Sequence, residues 1–416
     1  MQLSSLLSFA SVMQSLGGIL LAVVILLAMV TIHEFGHYVA GKILNFKITE
    51  FSIGFGPALF KKRSKKTGEL FALRLVPLGG YCAFDGEDEL YDEEQQRKEE
   101  TEKTQAAPFE DFENEPPMSA LNEEEQVQDA PQAADEKEEY PEPQGERFND
   151  QAPWKRIIVL IAGATMNYLL ALILLIIMFA GVGQPLYKVM DRRIPEGETL
   201  PAPIVSGFQV GDVIEQIDGK DVYLVTDYID ILDGRSAGEQ IPVTVFRGGE
   251  RQTITITLQA DASFVNMSDT NTLLTALGLD RLNSEVVKQD FFESIGKAGA
   301  YSIKIGGVVL RSLGELLTGK MGLEAMGGPV TTITVTAQAA SSGLLSFLNI
   351  AAFIGVNLAV FNLLPIPALD GCKVIFCIIE WIRKKPVNRK VEAIIHFVGI
   401  IVLFGFAIVV DLLHLF

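Results

Sequence analysis

The sequence is poor in histidine, cysteine and tryptophan, with four, three and two among 416 residues. Cys82, Cys372 and Cys377 are an odd number without zinc-ribbon or redox spacing, so no disulfide framework is implied. Cys372 and Cys377 read as small apolar packing residues. No basic excess exists from which to build a nucleic-acid-binding face: 34 Lys and Arg stand against 52 Asp and Glu, and the basic residues gather beside apolar runs. No basic n-region precedes the first apolar run, so it reads as a retained membrane span, not a secretory signal.

The net charge of −18 belongs to one segment. Asp85 to Asp150 carries 25 acidic and five basic residues, leaving the rest nearly neutral. Rich in Glu, Gln, Ala and Pro, residues 85–150 have the composition of a disordered, solvated insert. The remainder is strongly apolar. Four runs, about 17–37, 157–182, 344–364 and 394–414, are long enough to cross a bilayer. Lys42 to Lys66, Lys155 with Arg156, and Arg383 to Lys390 flank these runs. The three clusters fall on one side if the N-terminus is outside, which makes that side cytoplasmic.

Against this apolar background, His33-Glu34-x-x-His37 at the end of the first run stands out. Charged and imidazole groups at membrane depth are costly and mark function. Spacing of four puts His33 and His37 on one helix face, where both can hold one Zn²⁺, with Glu34 placed as general base. A chance match to this pattern in so histidine-poor a chain is on the order of one in a hundred. The third run ends in Asn362-Leu-Leu-Pro-Ile-Pro-Ala-Leu-Asp-Gly371. Pro365 and Pro367 break the helix and free backbone groups that water or protein must satisfy, forming a wall for water access to the metal. Asp370, just beyond, is the candidate third ligand; its alternative is a helix-capping role. In the second run Gly163 and Asn167 share a face, which suits close packing and a buried hydrogen bond, with support of the site as a further role.

Ile48–Pro57 and Leu70–Phe84 are strand-like, aromatic and punctuated by Gly and Pro. They predict a hairpin against the first span, either structural or offering an edge to an extended peptide. From about 184 to 282 the chain turns β-rich. Pro203-Ile-Val-Ser-Gly-Phe-Gln-Val-Gly-Asp-Val-Ile-Glu-Gln-Ile-Asp-Gly-Lys-Asp-Val222, a helical stretch at Asp227–Asp233, and strands at Ile241–Phe246 and Gln252–Leu258 resemble a PDZ domain. Binding of a cleaved peptide end and service as a size filter are both open. Residues 283–343 include an apolar run broken by Lys304, Arg311 and Glu315, which predicts an amphipathic helix on the outer membrane face.

Taken together, His33-Glu-x-x-His37, Phe51-Ser-Ile-Gly-Phe-Gly-Pro57, Pro77-Leu-Gly-Gly-Tyr81, Trp154-Lys-Arg156, the PDZ-like region and Asn362-x-x-Pro-x-Pro-x-Leu-Asp-Gly371 resemble the site-2 protease family. These are intramembrane zinc metalloproteases of peptidase family M50, here of the bacterial RseP/RasP type. The resemblance covers nearly the whole chain except the acidic insert. It departs at Ala162-Gly163-Ala164, where the family commonly has Ala-Gly-Pro. It implies Zn²⁺ on His33, His37 and Asp370, with Glu34 as base and Asn362 on the substrate backbone or oxyanion. Pro77–Tyr81, with Gly79, Gly80 and Tyr81, would guide the unwound substrate, alongside Pro365 and Pro367. Its substrates would be single-span membrane proteins, anti-sigma factors or signal-peptide remnants, normally already cut by a site-1 protease, in the bacterial inner membrane.

The expected architecture is therefore a polytopic α-helical membrane protein with four transmembrane helices, a membrane-associated β-hairpin or sheet, and an extracytoplasmic PDZ-like β-rich domain. The expected segments are 1–45 (first span), 46–84 (β region), 85–150 (insert) and 151–183 (second span). They continue as 184–282 (PDZ-like), 283–343 (amphipathic linker), 344–371 (third span), 372–393 (cytoplasmic helix) and 394–416 (fourth span). A competing reading is a membrane PDZ scaffold with a vestigial metal site; the intact ligand set argues against it.

Overall fold

The computed structural model describes residues 9–87, 140–190, 207–264, 269–279, 281–323 and 326–414. Most of the expected acidic insert, and residues 203–206 of the stretch expected to be PDZ-like, lie outside them. In chain order the elements begin with α1 (Phe9–Ile43), β1 (Ile48–Arg63), β2 (Leu70–Phe84), α2 (Pro153–Ile177), β3 (Gln184–Val189), β4 (Val213–Ile217), β5 (Lys220–Asp221) and α3 (Val225–Leu232). They continue with β6 (Gln240–Arg247), β7 (Glu250–Thr257), α4 (Thr270–Leu277), β8 (Leu282–Val287), α5 (Phe291–Leu317), α6 (Pro329–Ser341), α7 (Leu344–Leu363), α8 (Asp370–Arg383) and α9 (Arg389–Leu413).

Among the described residues, four helical stretches are long and apolar enough to cross a membrane: Leu16–Ile43, Pro153–Val182, Leu344–Leu363 and Arg389–Leu413. Their outward residues are apolar, as lipid contact requires; on α9 Ile394 is 62% exposed and Phe404 70%. The chain forms two compact units. Among the described residues, one comprises 9–18, 169–190, 207–264, 269–279, 281–320 and 335–357, the other 19–87, 140–168, 321–323, 326–334 and 358–414.

The first unit holds a sheet in the order β7-β6-β4-β3-β8, with β5 paired to β4, and every pairing is antiparallel. Alternating Ile241, Val243 and Val245 turn inward and are fully buried with Ile214, Ile217 and Leu232, giving the sheet one packed face. The Gly211-Asp212 turn is explained by its partners: buried Asp212 accepts from the Gln209 N–H and from Arg247 through two nitrogens. Lys304 and Arg311, which interrupt the apolar run in the sequence, prove to be part of a seam. Lys297, Lys304 and Arg311 recur every seven residues on one face of α5 and pair with Glu215, Asp227 and Asp230. Ile303, Leu310 and Leu317 on another face stay 71%, 51% and 79% exposed. Burial raises the pKa of the Glu215 carboxyl, but hydrogen bonds and charge from Arg251 and Lys297 outweigh it and hold the group below its ordinary value.

In the second unit β1 runs past the expected end at Pro57 to Arg63. Phe51 stands opposite both Cys82 and Phe71, and Phe60 opposite Leu73, so Ile48–Ile53 lies between two stretches of β2. Both strands therefore bend, β1 through Gly54 and Gly56 at φ 86° and 82°, a region open to glycine and strained for other residues. Buried Glu69 ties this sheet to α1, accepting from Tyr38 Oη at 3.0 Å and Lys42 Nζ at 2.6 Å. At the foot of α2, buried Arg156 pairs with Glu380 of α8, which also meets Arg389 of α9 at 3.1 Å. The Phe46, Phe84 and Phe148 rings pack together beside them.

Candidate metal centre

The apolar run of α1 carries the helix through His33 and His37, so their rings project from successive turns of one face. Both are buried, with ring centroids 4.8 Å apart. Their Nε2 atoms are 3.2 Å apart. Asp370 completes a triangle: its Oδ2 is 3.0 Å from His33 Nε2 and 3.4 Å from His37 Nε2. Donor atoms 2.0–2.2 Å from a tetrahedral zinc stand roughly 3.3–3.6 Å apart, so the three atoms form one face of such a site to within a few tenths of an ångström. Among the described residues these three form the group of His, Cys, Asp and Glu able to hold a metal ion.

The capping role weighed for Asp370 is set aside by the structure. The N-cap of α8 is Leu369, without a side-chain cap, and Asp370 is the first helical residue. The turn before it is held from α9, where His396 Nδ1 accepts the Ala368 N–H at 3.0 Å. Ala368 sits at φ 79°, a strained conformation for a non-glycine residue and one that its surroundings must enforce. Pro367 packs on Gly399, where an added Cβ would come 2.7 Å from the Pro367 carbonyl carbon. Pro365 belongs to the same turn.

Glu34 lies beside the triangle and outside it. Its carboxylate accepts the Cys82 N–H of β2. Gly80 is close by: an added Cβ would meet the Glu34 Cγ at 3.3 Å and the Ser52 carbonyl oxygen at 2.8 Å. Gly79 similarly leaves room for the Phe55 ring. The Tyr81 hydroxyl is engaged within the sheet, 2.9 Å from Glu50 Oε1 and 2.8 Å from Arg74 Nη2. Asn362 Nδ2, at the end of α7, stands 3.4 Å from His33 Nδ1.

Helix α2 closes the other side. Gly36 of α1 meets Ala162, and Gly163 faces both rings: an added Cβ would lie 2.7 Å from His37 Cε1 and 2.8 Å from His33 Cε1. Gly163→Ala is thus expected to weaken zinc binding by at least about tenfold, measured as zinc retained against a graded chelator. Retention at the wild-type level would show that the rings can yield. Three participants carried no signal in the sequence: the Cys82 N–H and the Val159 carbonyl, whose oxygen lies 2.9 Å from His37 Nδ1, are backbone groups, and His396 lies in a span without a motif around it.

A model of peptidase family M50 matches residues 21–406. The zinc metalloprotease RasP of Bacillus licheniformis is 28% identical, over 89% of this chain and 92% of its own. The regulator of sigma-W protease RasP of Bacillus subtilis is 27% identical, over 91% and 93%. A zinc metalloprotease RasP of Oceanobacillus iheyensis is 28% identical, over 92% and 95%.

Proposed function

We propose, from the premise that this chain belongs to peptidase family M50 and is a membrane-bound zinc metalloprotease, that it cuts peptide bonds in or beside the membrane-spanning segment of single-span proteins. The observation that carries this reading is the triangle of His33, His37 and Asp370 with Glu34 beside it, at the end of an apolar helix. These three residues would hold the zinc, which supplies a Lewis acid and one open coordination position. Glu34 takes the proton of the attacking water and returns it to the leaving amine.

A helical substrate shields its own peptide bonds, so it must unwind to be cut. The β2 stretch around Gly79, Gly80 and Tyr81 supports that role, because its backbone runs directly against Glu34 and lacks side chains at two positions. Asn362 faces the substrate backbone or the developing oxyanion. The Pro365–Pro367 turn forms the adjoining wall. Asn167 and Gly163 support the ligands from α2.

The relative named regulator of sigma-W protease points to anti-sigma factors as substrates, and signal-peptide remnants fit the same chemistry. A prior site-1 cut is part of this reading. The basic clusters support a cytoplasmic-side active centre in the bacterial inner membrane, with the N-terminus outside. The β3–β8 sheet with α3 supports a PDZ-like domain at 184–282 on the outer face, and the exposed apolar stripe of α5 supports a helix on that surface.

Incubation of the purified membrane protein with a tagged single-span substrate tests the reaction. Chelation is expected to abolish cleavage, and stoichiometric Zn²⁺ to restore it. Cleavage that persists in zinc-free protein would overturn the reading.

A further inference from the structure

Both imidazoles are met by one face of α2. His37 Nδ1 lies 2.9 Å from the Val159 carbonyl oxygen. One turn further along α2, Gly163 leaves room for both rings. A second turn brings Asn167, fully buried, whose Nδ2 is 3.5 Å from His33 Nδ1. Residues four apart in a helix share a face, so 159, 163 and 167 form one stripe along the metal centre.

A carbonyl oxygen only accepts. The Val159 contact therefore places the hydrogen of His37 on Nδ1 and leaves the Nε2 lone pair directed at the triangle. His33 Nε2 occupies the same triangle and has the same requirement. Its Nδ1, however, faces two amide nitrogens, from Asn167 at 3.5 Å and Asn362 at 3.4 Å. A hydrogen on Nδ1 conflicts with two NH₂ donors, so one amide must present its oxygen. The Asn167 Oδ1 is buried with no hydrogen-bond partner, and exchanging the two ends of that amide, which look nearly alike in shape, brings it to His33. Asn362 is only half-buried and keeps an approach from outside.

We propose that Asn167 is the positioning residue for His33: its Oδ1 accepts the His33 Nδ1–H, as the Val159 carbonyl accepts that of His37. This leaves Asn362 to the substrate. The proposal rests on the reading of His33 as a zinc ligand. Such outer partners fix ring orientation and raise ligand basicity, and their loss weakens metal binding by about ten- to a hundredfold.

The test is zinc affinity of the full-length protein, measured by competition with a chelator, for Asn167→Asp, Asn167→Leu and Asn362→Leu. Asp is isosteric and accepts the same hydrogen, so it should stay within about threefold of wild type, whereas Leu should lose about ten- to a hundredfold. Asn362→Leu should also stay within about threefold. Wild-type affinity in Asn167→Leu, an equal loss in Asn167→Asp, or a larger loss in Asn362→Leu would overturn the proposal. If Asn167→Leu does not fold, Asn167→Ala is judged against Asn167→Asp by the same criterion. His33→Ala separates the two levels: unchanged zinc affinity there overturns the metal-centre reading and this proposal with it, while a zinc-free His33→Ala beside a wild-type Asn167→Leu overturns the proposal alone.

Discussion

Glu34→Gln is expected to slow cleavage of a single-span substrate by roughly a hundred- to ten-thousandfold while leaving zinc bound. Glutamine has nearly the same shape and can still accept the Cys82 N–H that holds Glu34 against β2. What it lacks is a carboxylate to take the proton from water. The triangle of donor atoms excludes Glu34, so metal content should match wild type. Cleavage assayed in membranes together with zinc content of the same preparation separates the outcomes. Wild-type cleavage at full zinc occupancy would remove Glu34 from the mechanism. Loss of zinc along with activity would make it a structural support instead.

Asp370→Ala should abolish both zinc binding and cleavage. It removes one of three corners, and the remaining imidazoles cannot define a tetrahedral face. Helix α8 should survive, because Leu369 occupies its N-cap and the buried Arg156–Glu380 pair holds it further along. Losing an acidic residue from the first turn costs a helix only about 0.3–1 kcal/mol. Unchanged helical circular dichroism with zinc-free, inactive protein is the expected combination. Zinc retained at wild-type affinity would assign the third corner to another group, and Asp370→Asn would then distinguish charge from shape.

The four apolar stretches, the hairpin and the β-rich region were legible in the sequence because each rests on local pattern: long apolar runs, β-branched alternation, Gly and Pro punctuation. The bend of β1 past Pro57 was less so, because pairing Phe51 with both Cys82 and Phe71 depends on how two strands fold over each other. Lys304 and Arg311 read as interruptions of an apolar helix because their partners, Asp227 and Asp230, lie about eighty residues away. Tyr81 carried the motif, but only packing reveals that Glu50 and Arg74 already engage its hydroxyl.

At the centre the division is sharper. The sequence by itself determined that His33 and His37 share a helix face with Glu34 beside them, since a spacing of four on an apolar helix fixes that geometry wherever the helix lies. Only the tertiary structure decided how close Asp370, the carboxylate expected from the sequence, comes to the two rings, how α2 makes room through Gly163, and which backbone groups meet His37 and Glu34. Asp370 is 337 positions from His33, and over that separation no local rule sets a distance. The 3.0 Å contact exists because α8 and the strained turn at Ala368 are held in place by packing.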